Sequence, residues 1–124
     1  MIYSNELIRV EREKSEIPWL KLFVQRDVRE FSECTSAEKL ALLEAMDLIE
    51  KMMLSYYKPT KINLASFGNY VPQVHWHVMA RFEKDSFFPE PMWGKKQRES
   101  ELTLPSFDQF CKNVSTALTA QEQS

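Results

Sequence analysis

Apolar and polar residues alternate loosely over Leu7–Glu11, and apolar and aromatic residues crowd Trp19–Val24. Both patterns predict strands, the second introduced by Pro18 and joined to the first through the charged turn Arg12–Glu16. The period then changes. Leu42, Met46, Ile49 and Met53 recur at helical spacing, with Leu43 beside them, and the stretch runs to Tyr57 before Pro59 stops it. Thr35 stands three residues before Glu38, the spacing at which each side chain satisfies an orphan N–H at a helix start. Lys61–Ser66 reads as a third strand, Phe67–Tyr70 as a turn around Gly68-Asn69, and Gln73 to Phe82 as a further extended run opened by Pro72. Glu83–Glu99 has no period and carries Pro89, Pro91 and Gly94. Ser106 and Gln109 repeat the capping spacing ahead of a second helix, whose apolar stripe is Phe107, Phe110, Val114 and Leu118. Ala120–Ser124 reads as a frayed tail. The order strand, strand, helix, strand, strand, helix predicts an α+β fold with helices on one face of an antiparallel sheet.

At 124 residues the chain suits one domain, 1–124, able to bury a core without a disulfide or metal. Its formal net charge of −2 gives no footprint for nucleic-acid or anionic-membrane binding, and no apolar run is long enough to span a bilayer. The charged Met1–Val10 segment lacks the apolar centre of a signal peptide, which points to the cytoplasm. Cys34 and Cys111 are far apart and read as reduced, buried thiols. The chain has 2 glycines where average usage gives roughly 9. Glycine-rich phosphate loops are therefore excluded, and any anion site must use side chains, a helix N-terminus, or the backbone near Gly68 or Gly94.

Both histidines of the chain, His75 and His77, are separated only by Trp76. On a strand they project from the same face, roughly 6.8 Å apart. Gln73 joins them in a polar row left facing a solvent-accessible surface, while Val74, Trp76 and Val78 form an apolar row suited to packing beneath a helix. Such a pair can be structural. It can supply two metal ligands, although no third ligand stands nearby at a recognisable spacing. It can also serve phosphorus chemistry, with one imidazole as nucleophile and the other as hydrogen-bond donor.

The segment Gln73-Val-His-Trp-His-Val-Met-Ala-Arg81 resembles the His-φ-His-φ-His-φ-φ signature of the histidine triad (HIT) family, φ being apolar. The resemblance extends to Asn63 and the Gly68-Asn69 turn upstream and to the Pro18-containing strand, covering about residues 2–82. Residues 83–124 stand outside it as an irregular segment and a C-terminal helix. It implies a HIT-like sheet with a main helix, pairing through that helix and a strand into a two-fold homodimer with a continuous sheet. Met52, Met53, Leu54, Tyr56 and Tyr57 offer more apolar surface than one helix face buries, in keeping with a dimer.

Aligned on the motif, Gln73 takes the first histidine's place, His75 that of the nucleophile, and His77 that of the residue touching the phosphate. Gln73 departs from the pattern: it can hydrogen-bond but carries no titratable proton. The resemblance implies a small nucleotide substrate, attacked by His75 at its α-phosphorus to give a nucleotidyl-histidine, with an ester, anhydride or phosphoramidate link broken. No metal is required for that step, although Mg²⁺ can accompany the substrate. The remaining N–H of His75 needs a backbone carbonyl acceptor, expected on the neighbouring strand. Asn63, Gly68, Asn69 and Arg81 are expected around the nucleotide and its phosphate. Glu11, or else Glu13, is expected at the ribose, and Trp19 or Phe23 against the base, with Trp76 and Trp93 left to packing. Two rivals stand beside this reading: a non-catalytic nucleotide-binding or signalling module, and a metal-dependent hydrolase built on His75 and His77.

Overall fold

A computed structural model describes residues 1–123. Five strands form one antiparallel sheet: β1 (Tyr3–Ser4), β2 (Ile8–Arg12), β3 (Trp19–Val24), β4 (Lys61–Ala65) and β5 (His75–Arg81). Their order across the sheet is β1-β2-β3-β5-β4. Helix α1 (Ser36–Tyr57) follows β3, and helix α2 (Phe107–Glu122) closes the chain. The predicted α+β order is therefore present, with one addition. The two-residue β1 is too short to show a period, yet it pairs Tyr3 with Val10 and Ser4 with Arg9.

The start of α1 is the capping box expected from sequence: Thr35 Oγ1 accepts from Glu38 N at 3.1 Å, and Glu38 Oε1 accepts from Thr35 N at 2.7 Å. Arg26 adds two bonds to the same carboxylate, at 2.9 and 3.1 Å, and these with the capping bonds hold the Glu38 carboxyl down at about 2. Lys58 ends the helix in the left-handed region at φ 50°, and Pro59 prevents its continuation. At α2 the box is only half made. Ser106 accepts from Gln109 N, but the Gln109 side chain reaches forward to Asn113. This helix runs on to Glu122, so the tail expected from Ala120 is helical that far, and Glu122 accepts a 2.6 Å bond from the Tyr3 hydroxyl. Ser124 lies outside the described residues.

Strand alternation decides what each face of the sheet does. Val10, Leu20, Leu22, Val24, Ile62, Val78 and Ala80 point to the helices and are buried against Leu42, Ala45, Met46, Ile49 and Met53 of α1. Phe110, Val114 and Leu118 of α2 complete that core. Each such side chain contributes about 1.5–3 kcal/mol by leaving water. Met53 and Tyr57 are buried within one chain, and Met52 and Tyr56 pack against the core. Of the apolar group at the end of α1 only Leu54 is exposed, so most of the surface expected to seek a second copy is core. Cys34 and Cys111 are free and buried, and burial raises both thiol pKa values. Among the described residues no helix is long and apolar enough to cross a membrane.

Candidate functional site

Among the described residues no helix packs on the opposite face of the sheet, and its register brings the polar chemistry into rows. His75 pairs with Phe23, and Phe23 with Arg9; His77 pairs with Lys21 on one side and Ala65 on the other. Residues on adjacent strands are about 4.8 Å apart, so each row is a line of touching side chains. Phe23 stacks on the His75 ring at 4.7 Å between centroids and 18° between planes, and Arg9 lies 4.3 Å over the same phenyl ring. The two imidazoles stand 5.1 Å apart, edge to face.

The expectation that this face stands open to water is corrected by aromatic residues from the loops. His75 and His77 are only 7% and 8% exposed. Phe67, at the start of the turn after β4, and Trp93, from the aperiodic segment after β5, meet at 4.8 Å. Trp93 also stands 4.9 Å from His77 and 5.3 Å from Trp19. Together with the Gly68–Val71 turn these residues roof a cleft of about 380 Å³. Glu13, Lys21, Phe23, Phe67, Gly68, Asn69, Tyr70, Val71, His75, His77 and Trp93 line it, a size and an apolar character suited to a small ligand. Gly68 sits at φ +102°, a conformation that side chains strain to adopt, and this lets the turn fold back towards the cleft.

Hydrogen bonds distinguish the two histidines. His75 Nδ1 is 2.7 Å from the carbonyl oxygen of Gln73, an acceptor two residues back on its own segment and not on the neighbouring strand. A carbonyl only accepts, so Nδ1 carries a proton, and in the neutral ring Nε2 is then the nitrogen that keeps its lone pair. His77 Nδ1 instead meets the indole N–H of Trp19 at 3.0 Å. Burial, aided by the nearby His75 and Lys21, pushes the His77 pKa down to about 4, so its imidazole is neutral at pH 7. Lys21 is the cation lining this cleft and is ion-paired with Glu13 at 3.0 Å.

Of the residues expected around a nucleotide, Gly68, Asn69, His75 and His77 line the cleft, and Gln73, Asn63, Arg81 and Glu11 do not. Gln73 lies just ahead of β5. Its side chain donates to the Val24 carbonyl at 2.5 Å and accepts from Arg9 at 3.5 Å, so it ties the segment to the end of β3. Glu11 is two strands from His77, roughly 10 Å, and ion-pairs with Arg9; Glu13 is the acid at the cleft. Arg81 shares the face of the histidines but sits roughly 13 Å beyond His77. It is 2% exposed and paired through Nε and Nη2 with the fully buried Asp85 at 2.9 and 3.0 Å. It also donates to the Glu90 carbonyl at 2.7 Å and to Asn63 Oδ1 at 2.9 Å. The phosphate contact expected of Arg81 is therefore replaced by a structural one, and the Asn63 side-chain oxygen is held by the same guanidinium.

Asp85 escapes the sequence reading although the loop depends on it. Besides Arg81 it accepts from the backbone N–H of Phe82, Phe87 and Phe88. Burial alone raises its pKa, but these bonds outweigh that and keep the carboxyl below its ordinary value. Arg98 donates to the carbonyls of Asp85 and Phe88 and further braces the segment that delivers Trp93. Trp93, assigned to packing from sequence, is a half-exposed wall of the cleft. Trp76 does pack, on the helix face against Phe31. Among the described residues no three His, Cys, Asp or Glu side chains are grouped to hold a metal ion.

Comparison with known proteins agrees with this arrangement. The family model for the HIT domain matches residues 1–84. A crystal structure of a histidine triad protein from Bradyrhizobium japonicum superposes with a TM-score of 0.73 at 28% identity, covering 96% of this chain and 87% of the other. A histidine triad protein from Marinobacter aquaeolei gives 0.75 at 26% identity, with 97% and 88% covered. A hypothetical histidine triad nucleotide-binding protein from Sulfolobus tokodaii shares the fold alone, at 0.63 and 12% identity, over 98% and 84% of the two chains. No curated protein matches the chain. With the domain match covering well over half its length and including the histidine pair, the chain belongs to the HIT family.

Proposed function

We propose that the protein is a nucleotide-binding hydrolase or transferase that works through a covalent nucleotidyl group on His75. The observation that carries this reading is the bond from His75 Nδ1 to the Gln73 carbonyl, because it makes Nε2 the lone-pair nitrogen of the neutral ring, in a cleft of nucleotide size. Nε2 attacks the α-phosphorus, the bond to the leaving oxygen or nitrogen breaks, and the leaving group departs with the electron pair and takes up a proton from solvent. The adduct imidazole then carries positive charge, which the Gln73 carbonyl stabilises across the retained N–H. Water or another acceptor attacks phosphorus next and gives up its proton to solvent, the P–N bond breaks with its electron pair returning to Nε2, and His75 is restored. Charge gathering on the non-bridging oxygens meets His77 and the polar groups of the Gly68-Asn69 turn. Positioned donors of this kind are worth ~3–4 kcal/mol each. The protein's own groups suffice for this step, and a divalent cation enters only with a polyphosphate substrate.

Mass spectrometry of protein quenched during turnover tests the reading directly. A nucleotidyl adduct on His75 is the expected result. The His75→Ala protein should still bind AMP in calorimetry while its turnover falls by several decades. Near-normal turnover of that variant would overturn the assignment of the nucleophile. AMP binding with neither turnover nor adduct in the unaltered protein would make it a binding module instead.

A further inference from the structure

The opposite hydrogen-bonding of the two Nδ1 atoms has a cause outside the histidine segment. An indole N–H can only donate, so the 3.0 Å contact from Trp19 Nε1 requires Nδ1 of His77 to be the unprotonated acceptor. A neutral imidazole has one N–H, which then resides on Nε2. Trp19 is well placed to enforce this. It stands on β3 opposite Met79, two residue pairs along from Lys21 and His77, and its ring meets those of His77 at 5.7 Å and Trp93 at 5.3 Å, edge to face.

We infer that Trp19 is a positioning residue that fixes the Nε2–H tautomer of His77, making His77 a hydrogen-bond donor at the same ring position where His75 is an electron-pair donor. The two imidazoles thus present complementary groups to one phosphoryl centre, and His77 cannot compete as a second nucleophile. Its use in that way rests on the reaction proposed above; the tautomer itself does not. Trp19 also opposes protonation of His77, because an added proton on Nδ1 would face the indole N–H. The charged and titratable groups that act on His77 are His75 on its own strand, Lys21 from β3 and Glu13 from the segment after β2. Lys21 and His75 disfavour the cation, and Glu13 favours it.

Nitrogen-15 NMR of the histidine side chains in the ligand-free protein at neutral pH tests the inference. The expected spectrum has His77 protonated at Nε2 and bare at Nδ1, and His75 the reverse. Trp19→Phe keeps an aromatic ring and removes the donor. In that variant the Nδ1–H tautomer of His77 should become populated and its titration should move to higher pH. Turnover should fall about tenfold through kcat with little change in KM, short of the 10²–10³ typical when a transition-state donor is removed outright. A proton on Nδ1 of His77 in the unaltered protein would overturn the inference, whether or not the variant folds. So would a folded Trp19→Phe protein with unchanged tautomer and titration. The expected tautomers without any His75 adduct would instead count against the proposed reaction and leave the role of Trp19 standing.

Discussion

Replacing Arg81 with methionine separates a structural from a phosphate-binding arginine. The change keeps an unbranched stem of similar bulk but strands the Asp85 carboxylate, which is fully buried, and removes the bonds to Glu90 and Asn63. Removing one partner of a buried ion pair costs about 3–5 kcal/mol. That is a large share of the roughly 5–15 kcal/mol that holds a domain folded, and for a chain of this length it lowers Tm by on the order of 10–20 °C. Asp85→Ala should cost at least as much, because Phe82, Phe87 and Phe88 also lose their N–H acceptor. The pH dependence has a definite sign. In the native protein the Asp85 pKa is lowered, so its contribution is present above the ordinary value of 3.8 and is lost as pH falls through the depressed one. Without Arg81 the folded-state pKa rises, the stranded carboxyl protonates sooner, and the deficit of the variant should shrink between neutral pH and pH ~3. Urea unfolding at several pH values, alongside AMP calorimetry, measures all of this. A loss of stability under about 1 kcal/mol combined with tenfold weaker AMP binding would refute the structural assignment and return Arg81 to the phosphate.

Three further outcomes are expected. His77→Ala should lower turnover by 10²–10³, whereas Gln73→His, which restores the literal triad, should change it within about tenfold, because His75 uses the Gln73 backbone and not its side chain; steady-state kinetics of the two variants compares them. Extensive dialysis against a chelator should leave turnover of a phosphoramidate or other magnesium-independent substrate unchanged, and recovery only on adding stoichiometric zinc would contradict the histidine mechanism. Sedimentation at tens of micromolar should report a homodimer, now expected to bury exposed Leu40, Leu43 and Leu54 of α1 with Leu64 of the edge strand β4, and a monomer at that concentration would contradict it.

The regular parts of this molecule were legible because their signals are local. Thr35 and Glu38 sit within one turn of each other, and Pro59 ends α1 whatever else the chain does. The alternation around Val74–Val78 likewise foretold that the histidines would oppose the core, since a strand has only two faces. What stayed hidden depends on partners remote in sequence or on segments without a period. Trp93 follows two prolines in an aperiodic stretch, and only the bonds of Asp85 and Arg98 show where it is carried. Arg81 follows the motif where a phosphate ligand is expected, and its burial is decided by an aspartate four residues later whose fit depends on the loop's backbone. Gln73 looked like a third member of the polar row because the strand was expected to begin there. It begins at His75, and the bend before it turns the glutamine side chain towards Val24.

The division of labour between the two faces of the sheet bears on how such a protein can change. Residues that give the cleft its shape, Phe67, Tyr70, Val71 and Trp93, are all substantially exposed and belong to loops, so replacing them opens no void among the helix-facing side chains. New leaving groups can therefore be accommodated by editing these positions while Leu20, Leu22, Val78 and their helical neighbours continue to specify the fold. The exceptions are the residues that anchor the loops, Gly68 and Asp85, where a change aimed at selectivity is felt as a loss of shape. Mutational tolerance in this chain should thus be uneven across a few ångströms: permissive at the rim of the cleft, strict at the two points where its walls are hinged to the sheet.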